Sequence, residues 1–142
     1  MIAKLTNWLY QGDIDSIKNL EYLNYPIRGI VCVCENNERI FPRSGNDINY
    51  LWCSFDDPGE TLTRDKLRVI SEFSRQEGTI LVHCFGGINR SPAICVYLMY
   101  EYLSGNYLNI SDIFENKNPH VRVRDELIEK IMQLSGCKII NP

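Results

Sequence analysis

Apolar residues recur along the chain with two spacings, and these predict two kinds of element. Continuous apolar runs, such as Ile30 to Cys34 and Thr79 to Val82, are typical of short buried strands. Apolar residues three apart, such as Leu67, Ile70 and Phe73, predict one face of a helix. We predict strands at 30–34, 50–53 and 79–82, a strand pair with a turn in 2–12, an exposed polar loop at 35–47, and helices at 13–25, 63–76, 91–103, 110–114 and 126–134.

Capping and helix-breaking residues mark where several of these helices begin and end. Asp13 or Asp15 is predicted to cap the first helix, and Thr63 the second. Gly78 is predicted to end the second helix, and Gly105 the helix that begins near residue 91. Because helices alternate with strands, we predict an α/β fold with a central, mainly parallel sheet flanked by helices.

The length and charge of the chain narrow the function classes. Its 142 residues and 16.5 kDa suit one domain, spanning residues 1–142. The formal net charge of −3 argues against a nucleic-acid partner. The longest apolar runs, such as Ala93 to Tyr100, are too short to cross a bilayer, and no leader peptide is expected, so no membrane partner is predicted.

Six cysteines stand in the sequence, and we expect them to be reduced in an intracellular compartment. Cys32 and Cys34 are two apart in an apolar run, so on a strand they face the same side and could chelate a metal. No matching His or Cys pair occurs elsewhere, which favours two small apolar residues in a buried strand. We therefore predict no metal and no cofactor.

The segment 79–92 carries the most informative chemistry. An apolar strand delivers Cys84 to its carboxyl end, a loop with Gly86 and Gly87 follows, and Arg90 and Ser91 open a helix. Loop amides that point inward, together with the N-terminus of the helix, form a cradle for a tetrahedral oxyanion. The planar fork of the arginine can grip two phosphate oxygens. The predicted phosphate-binding residues are Phe85, Gly86, Gly87, Ile88, Asn89 and Arg90.

The same electrostatic surroundings favour the thiolate of Cys84, which would lie in line with a bound phosphorus. We predict that Cys84 attacks phosphorus and forms a phosphocysteine intermediate. His83 is expected to orient the loop through its ring nitrogens, and the Ser91 hydroxyl to donate a hydrogen bond to the departing thiolate. An incidental buried cysteine in a strand-to-helix turn is the alternative interpretation.

The run His83-Cys84-Phe85-Gly86-Gly87-Ile88-Asn89-Arg90-Ser91 resembles the signature of cysteine-dependent protein tyrosine phosphatases. The following Pro92 and Tyr97-Leu98-Met99 are similar to its dual-specificity branch, although that branch usually has Ser where Asn89 stands. The resemblance implies a phosphotyrosine protein phosphatase-like fold. It also implies hydrolysis of phosphotyrosine, and of phosphoserine and phosphothreonine, in a phosphorylated protein.

The resemblance further implies a general acid, an Asp on a loop upstream of the cysteine. Asp56 and Asp57 both follow a predicted strand, and the offset from Tyr50 favours Asp57. Such a carboxylic acid protonates the leaving oxygen and then acts as base on the hydrolytic water. Both residues also precede Pro58-Gly59, where Asp is common in turns.

Other substrates and a non-catalytic role remain open alternatives. The loop residues Phe85, Ile88 and Asn89 carry no charge, which argues against a phosphoinositide phosphatase. Ser91 and the acidic net charge argue against an RNA 5′-triphosphatase, and the presence of both Cys and Arg argues against a phosphopeptide-binding module. Arg122 and Arg124 could contact an acidic peptide or could simply be solvated. We expect the protein to be cytoplasmic and leave its entry to the nucleus open. The oligomeric state is also left open. 

Overall fold

The computed structural model describes residues 1–42, 47–103 and 106–142. Within these ranges the strands are β1 (Ala3–Lys4), β2 (Leu9–Gly12), β3 (Gly29–Cys32), β4 (Asn49–Trp52), β5 (Ile80–His83), β6 (Leu108–Asn109) and β7 (Ile139–Ile140). The helices are α1 (Ile14–Lys18), α2 (Arg64–Glu77), α3 (Arg90–Tyr102), α4 (Ile110–Phe114) and α5 (Asp125–Ser135), with short 3₁₀ turns at Glu21–Asn24 and Asn36–Glu38.

Five strands form one sheet in the order β1-β2-β5-β3-β4, and β6 pairs with β7 separately. β1 runs antiparallel to β2, whereas β2, β5, β3 and β4 are mutually parallel. The predicted α/β fold with a mainly parallel sheet is therefore confirmed. The register sets Gly12 and Cys32 on either side of His83, at the carboxyl ends of three neighbouring strands. This edge of a parallel sheet is where ligands commonly bind.

Side chains of the central strands alternate between two apolar layers. Val31 and Val82 belong to the larger core, which they share with residues of α2, α3 and α5. Ile30 and Leu81 point to the other face, into a smaller cluster that includes residues of α1 and the first 3₁₀ turn. All four side chains are fully buried, which explains why the two strands read as continuous apolar runs.

The helix predicted at 13–25 is wrong in its length. Asp13 caps α1 as one of the two predicted candidates, since its carboxylate accepts the N–H of Ser16. However, α1 ends at Lys18, because Leu20 adopts a left-handed conformation with φ of +59°. The chain then continues as a 3₁₀ turn that buries Tyr22, so both pieces keep the apolar spacing that predicted one helix.

The boundaries of α2 agree with the prediction. Thr63 caps its start by accepting the N–H of Lys66, and Gly78 ends it with φ of +83°. Gly105, which the sequence predicts to end α3, and residues 43–46 of the predicted 35–47 loop lie outside the described residues. No helix in the described ranges is long and apolar enough to cross a bilayer.

Gly59, in the turn after β4, offers a test of how tightly that turn packs on α5. Its φ is +91°, and an added Cβ would lie 2.5 Å from the buried Cδ1 of Leu127. We expect Gly59→Ala to lower the free energy of unfolding by about 2–4 kcal/mol, from backbone strain plus overpacking. Urea unfolding followed by circular dichroism measures the change.

Gly78→Ala is the matched control for this substitution. Gly78 also has a positive φ, but an added Cβ would meet nothing within 4 Å. Its cost is therefore backbone strain alone, about 1 kcal/mol. Equal losses of stability in the two variants would contradict the packing of Gly59 against α5.

Candidate active site

The loop 84–89 connects the end of β5 to the start of α3. Gly87 has φ of +70°, and an added Cβ would lie 3.1 Å from the Cβ of Asp13 and 3.3 Å from the carbonyl oxygen of Gly12. Both the backbone conformation and this close approach to the end of β2 require glycine here. Gly86 has no such constraint, because an added Cβ would make ordinary contacts with Ile88.

Cys84 lies at the bottom of this loop and is 2% exposed. Its Sγ accepts the N–H of Gly87 at 3.2 Å and lies 3.2 Å from Oγ of Ser91. It also faces the first turn of α3. Backbone and hydroxyl donors next to a helix N-terminus suit a negatively charged sulfur.

Ser91 is fully buried, and its hydroxyl belongs to a hydrogen-bond network that includes Gln11, which is not among the predicted site residues. Nε2 of Gln11 donates to Ser91 Oγ at 2.9 Å and also lies 3.1 Å from the carbonyl oxygen of Gly87. The single hydroxyl hydrogen then has two acceptors, the carbonyl oxygen of Gly12 at 3.1 Å and Cys84 Sγ. This hydroxyl can therefore turn toward the sulfur when the sulfur is charged.

Gln11 is held in turn by Asn118, whose Nδ2 donates to Gln11 Oε1 at 3.0 Å. Both side chains are buried, so their amide groups depend on these partners rather than on solvent. A glutamine at the end of an otherwise apolar strand was the available sequence signal for Gln11. Asn118 gave no comparable signal, because its partner stands far away in the chain.

Arg90 is 4% exposed, and Glu38 binds one edge of its guanidinium. Nη1 and Nη2 donate to the two carboxylate oxygens of Glu38 at 2.9 and 3.0 Å, and Nη1 also donates to the carbonyl oxygen of Phe55 at 3.2 Å. The hydrogen bonds from Arg90 lower the pKa of Glu38 below its ordinary value. Nε is buried and has no hydrogen-bond partner among the described residues, and Oδ1 of Asp57 lies 3.6 Å from it.

The chain is similar to known proteins in its sequence and in its fold. The family model "Dual specificity phosphatase, catalytic domain" matches residues 9–137. The chain belongs to this family.

Individual relatives agree with this assignment at low sequence identity. MAP kinase phosphatase with leucine-rich repeats protein 3 of Dictyostelium discoideum is 24% identical over an alignment 144 residues long. The alignment covers 94% of this chain and 16% of that protein. The chain thus spans about a sixth of the length of this relative.

Solved structures share the fold. Human tyrosine phosphatase-like serine/threonine/tyrosine-interacting protein has a TM-score of 0.77 at 20% identity, with 95% of each chain covered. PTPMT1 in complex with PI(5)P has a TM-score of 0.71 at 15% identity, covering 94% of this chain and 93% of the other.

The two candidate acids of this dual-specificity phosphatase domain differ in their surroundings. Oδ1 of Asp57 lies 3.6 Å from Arg90 Nε and accepts from Nδ2 of Asn89 at 3.1 Å, and its side chain is 47% exposed. Asp56 instead binds its own turn, accepting the N–H and O–H of Thr61 at 2.7 Å each. Burial works to raise the pKa of Asp56, but these donors outweigh it and the net pKa is lowered.

Asn89, where the branch usually has Ser, ties three segments together. Besides Asp57 Oδ1, its Nδ2 donates to the Asp57 carbonyl oxygen at 2.8 Å, and its Oδ1 accepts the N–H of Arg124 at 2.8 Å. The N–H of Arg122 donates to the carbonyl oxygen of Ile88 at 2.9 Å. The loop therefore hydrogen-bonds both to Asp57, the candidate acid, and to the segment of Arg122 and Arg124. For these two arginines the sequence left a contact with a peptide and a solvated position as alternatives.

A cavity of about 580 Å³ opens in front of Cys84. Asp57 lines it whereas Asp56 does not, and Phe85 and Ile88 stand exposed at its rim. Of the remaining predicted site residues, His83 is fully buried behind the loop, with Nδ1 3.3 Å from the Cys84 carbonyl oxygen. The lining residues are Glu35, Glu38, Asp57, Cys84, Phe85, Gly86, Ile88, Asn89, Arg90, Arg122, Val123 and Arg124.

Glu38 provides a test of how the arginine is held. Glu38→Gln removes the charge that neutralises the buried guanidinium, so we expect the free energy of unfolding to fall by about 2 kcal/mol at pH 7. The pKa of Glu38 is lowered in the folded state, so its contribution is complete above 4.5, its ordinary value, and is lost as pH falls through the folded-state pKa. The difference between wild type and variant should therefore shrink in acid.

Urea unfolding at pH 7, 5 and 4 measures this difference. Glu72→Gln is the control, because Glu72 pairs with Arg68 on the exposed face of α2. This exposed pair contributes little, so its removal should leave stability nearly unchanged. A pH-independent difference for Glu38→Gln would argue against the ion pair as its cause.

Proposed function

We propose that this domain hydrolyses phosphotyrosine, and also phosphoserine and phosphothreonine, in proteins through a phosphocysteine intermediate at Cys84. The observation that carries the proposal is the position of the Cys84 sulfur. It lies at the floor of the cavity, between the N–H of Gly87 and the hydroxyl of Ser91, beside a buried arginine whose Nε makes no hydrogen bond to the described residues. This arrangement supports roles for the sulfur as nucleophile, the loop as anion cradle and the arginine as cation.

The first chemical step transfers the phosphoryl group to the enzyme. Loop amides and the Nε edge of Arg90 hold the phosphate oxygens, and the Cys84 thiolate attacks phosphorus from below. The sulfur–phosphorus bond forms as the bond between phosphorus and the substrate oxygen breaks. Asp57 protonates that leaving oxygen, a role supported by its place on the cavity wall and its hydrogen bonds to Asn89.

The second step releases phosphate. Asp57, now a carboxylate, takes a proton from a water that attacks phosphorus, and the sulfur–phosphorus bond breaks. The returning thiolate accepts a hydrogen bond from the Ser91 hydroxyl, whose oxygen lies 3.2 Å away. Each step uses groups of the chain and water alone, so the proposal includes no cofactor.

A protein substrate is favoured by the space beside the catalytic cavity. A larger cavity of about 1050 Å³ adjoins it and shares Arg122, Val123 and Arg124 with it. Residues that flank a phosphorylated side chain can extend into this space.

All six cysteines are free and buried, so we further propose a reducing compartment such as the cytoplasm, with entry to the nucleus left open.

A phosphoinositide is the second candidate substrate. Arg122 and Arg124 stand on the wall of the cavity, where they can pair with additional phosphates of such a headgroup. The structural neighbour PTPMT1 was solved in complex with PI(5)P. The uncharged loop side chains still favour the protein substrate.

Turnover by a Cys84→Ser variant tests the proposal directly. We expect hydrolysis of phosphopeptides to fall to the background level while phosphate binding is retained, because the anion cradle stays intact. Phosphate release from phosphotyrosine, phosphothreonine and phosphoinositide substrates measures activity and preference together. Cys53→Ser, which changes a buried thiol outside the site, should retain activity. Wild-type turnover by Cys84→Ser would refute covalent catalysis by this thiol.

The acid assignment has its own test. Asp57→Asn should lower kcat for aryl phosphates with poor leaving groups by about 10²–10³, and much less for good leaving groups, since general acid catalysis is worth about 10²–10⁴. Steady-state kinetics over a leaving-group series gives this dependence. Asp56→Asn should change kcat evenly across the series, because Asp56 holds a turn. The opposite pattern would move the acid to Asp56.

A further inference from the structure

A second cluster of donor atoms lies on the face of the sheet opposite Cys84. Cys32 stands beside His83 in the parallel register of β3 and β5, and Cys34 follows two residues later on the same side. The two sulfurs and one ring nitrogen all lie within 4.8 Å of one another, and all three side chains are 0% exposed. The surrounding side chains include Ile14, and the proposed hydrolysis uses neither of these thiols.

The spacing of these atoms suits a metal ion. With bond lengths of about 2.0–2.3 Å, the donors around a tetrahedral Zn²⁺ lie about 3.5–3.8 Å apart. The present separations therefore need inward movements of no more than about 1 Å. Two cysteine sulfurs and an imidazole nitrogen form a donor set that thiophilic cations prefer over Mg²⁺ or Ca²⁺.

The hydrogen bonding of His83 supports the same conclusion. Its Nδ1 lies 3.3 Å from the Cys84 carbonyl oxygen, so Nδ1 is the nitrogen that carries the hydrogen in the neutral ring. Nε2 then carries the lone pair, and it has no hydrogen-bond partner among the described residues although it is buried. Histidines that bind metals characteristically donate their other N–H to a carbonyl in this way.

We propose that Cys32, Cys34 and His83 bind one Zn²⁺ ion. Binding releases to solvent the protons that the thiols carry, and the two thiolates then neutralise the charge of the ion. A neutral site suits these buried surroundings better than Cu⁺ would, since Cu⁺ with two thiolates leaves a net negative charge. The ion would join β3 to β5 directly before Cys84 and so restrain the start of the catalytic loop.

The sequence pattern argued against this site because no second pair of donors follows Cys32 and Cys34. The third donor comes from a neighbouring strand instead. A metal site that is recognised from spacing in the sequence needs a second pair of donors along the chain. Here a single donor, His83, comes from the neighbouring strand of the sheet.

The full chain carrying Cys84→Ser is the protein to test, because the catalytic thiol could itself bind zinc. We expect this variant to retain one Zn²⁺ per chain after gel filtration, measured by elemental analysis, and to gain a higher Tm. Adding Cys32→Ser or Cys34→Ser should weaken Zn²⁺ binding at least tenfold in competition with a chromophoric chelator. Adding Cys53→Ser should leave it unchanged.

A second measurement needs no change in the cluster and so does not depend on whether those variants fold. In the Cys84→Ser protein, Zn²⁺ should slow alkylation of Cys32 and Cys34, mapped by mass spectrometry, more strongly than that of Cys53, Cys95 and Cys137. Absence of bound Zn²⁺, equal protection of all five thiols, or stoichiometric Cu⁺ without Zn²⁺ would overturn the proposal. None of these readouts depends on phosphatase activity.

Discussion

The buried guanidinium of Arg90 is the group on which the arrangement of the candidate active site depends. An unpaired cation at this depth would cost several kcal/mol, so the fold must supply its partners. Glu38 binds both terminal nitrogens, and the carbonyl oxygen of Phe55 binds one of them. The 3₁₀ turn Asn36–Glu38 and the segment after β4 are thereby held against the start of α3. Among the described residues Nε makes no hydrogen bond, and Oδ1 of Asp57 lies 3.6 Å from it.

The loop 84–89 is supported by buried polar groups that form hydrogen bonds with one another. Gln11 reaches Ser91 and the carbonyl oxygen of Gly87, and Asn118 holds Gln11. These contacts connect β2, the loop and the chain after α4. Because every member is buried, the network sets the loop in place before any ligand arrives, and such preorganisation is what anion binding requires.

The candidate site was predictable from the sequence where it is local. Cys84, Arg90 and Ser91 belong to one strand, loop and helix, so the motif places them together without reference to the rest of the chain. Glu38 could not be assigned in this way, because it lies in a polar segment with no sign of a distant partner. The two roles of Asn89 were equally hidden, since they depend on how the chain after β4 and residues 121–124 pack on the loop.

Periodicity in the sequence by itself determined that strands alternate with helices, because burial of one side of each element imposes its spacing. The motif of residues 83–91, in turn, placed Cys84, Arg90 and Ser91 in one strand, loop and helix start. Only the tertiary structure decided the order of the strands, the break at Leu20 and the meeting of His83 with Cys32 on neighbouring strands. The physical reason is that contacts between distant segments depend on how the helices pack on the sheet. The spacing of residues along the sequence does not specify that packing.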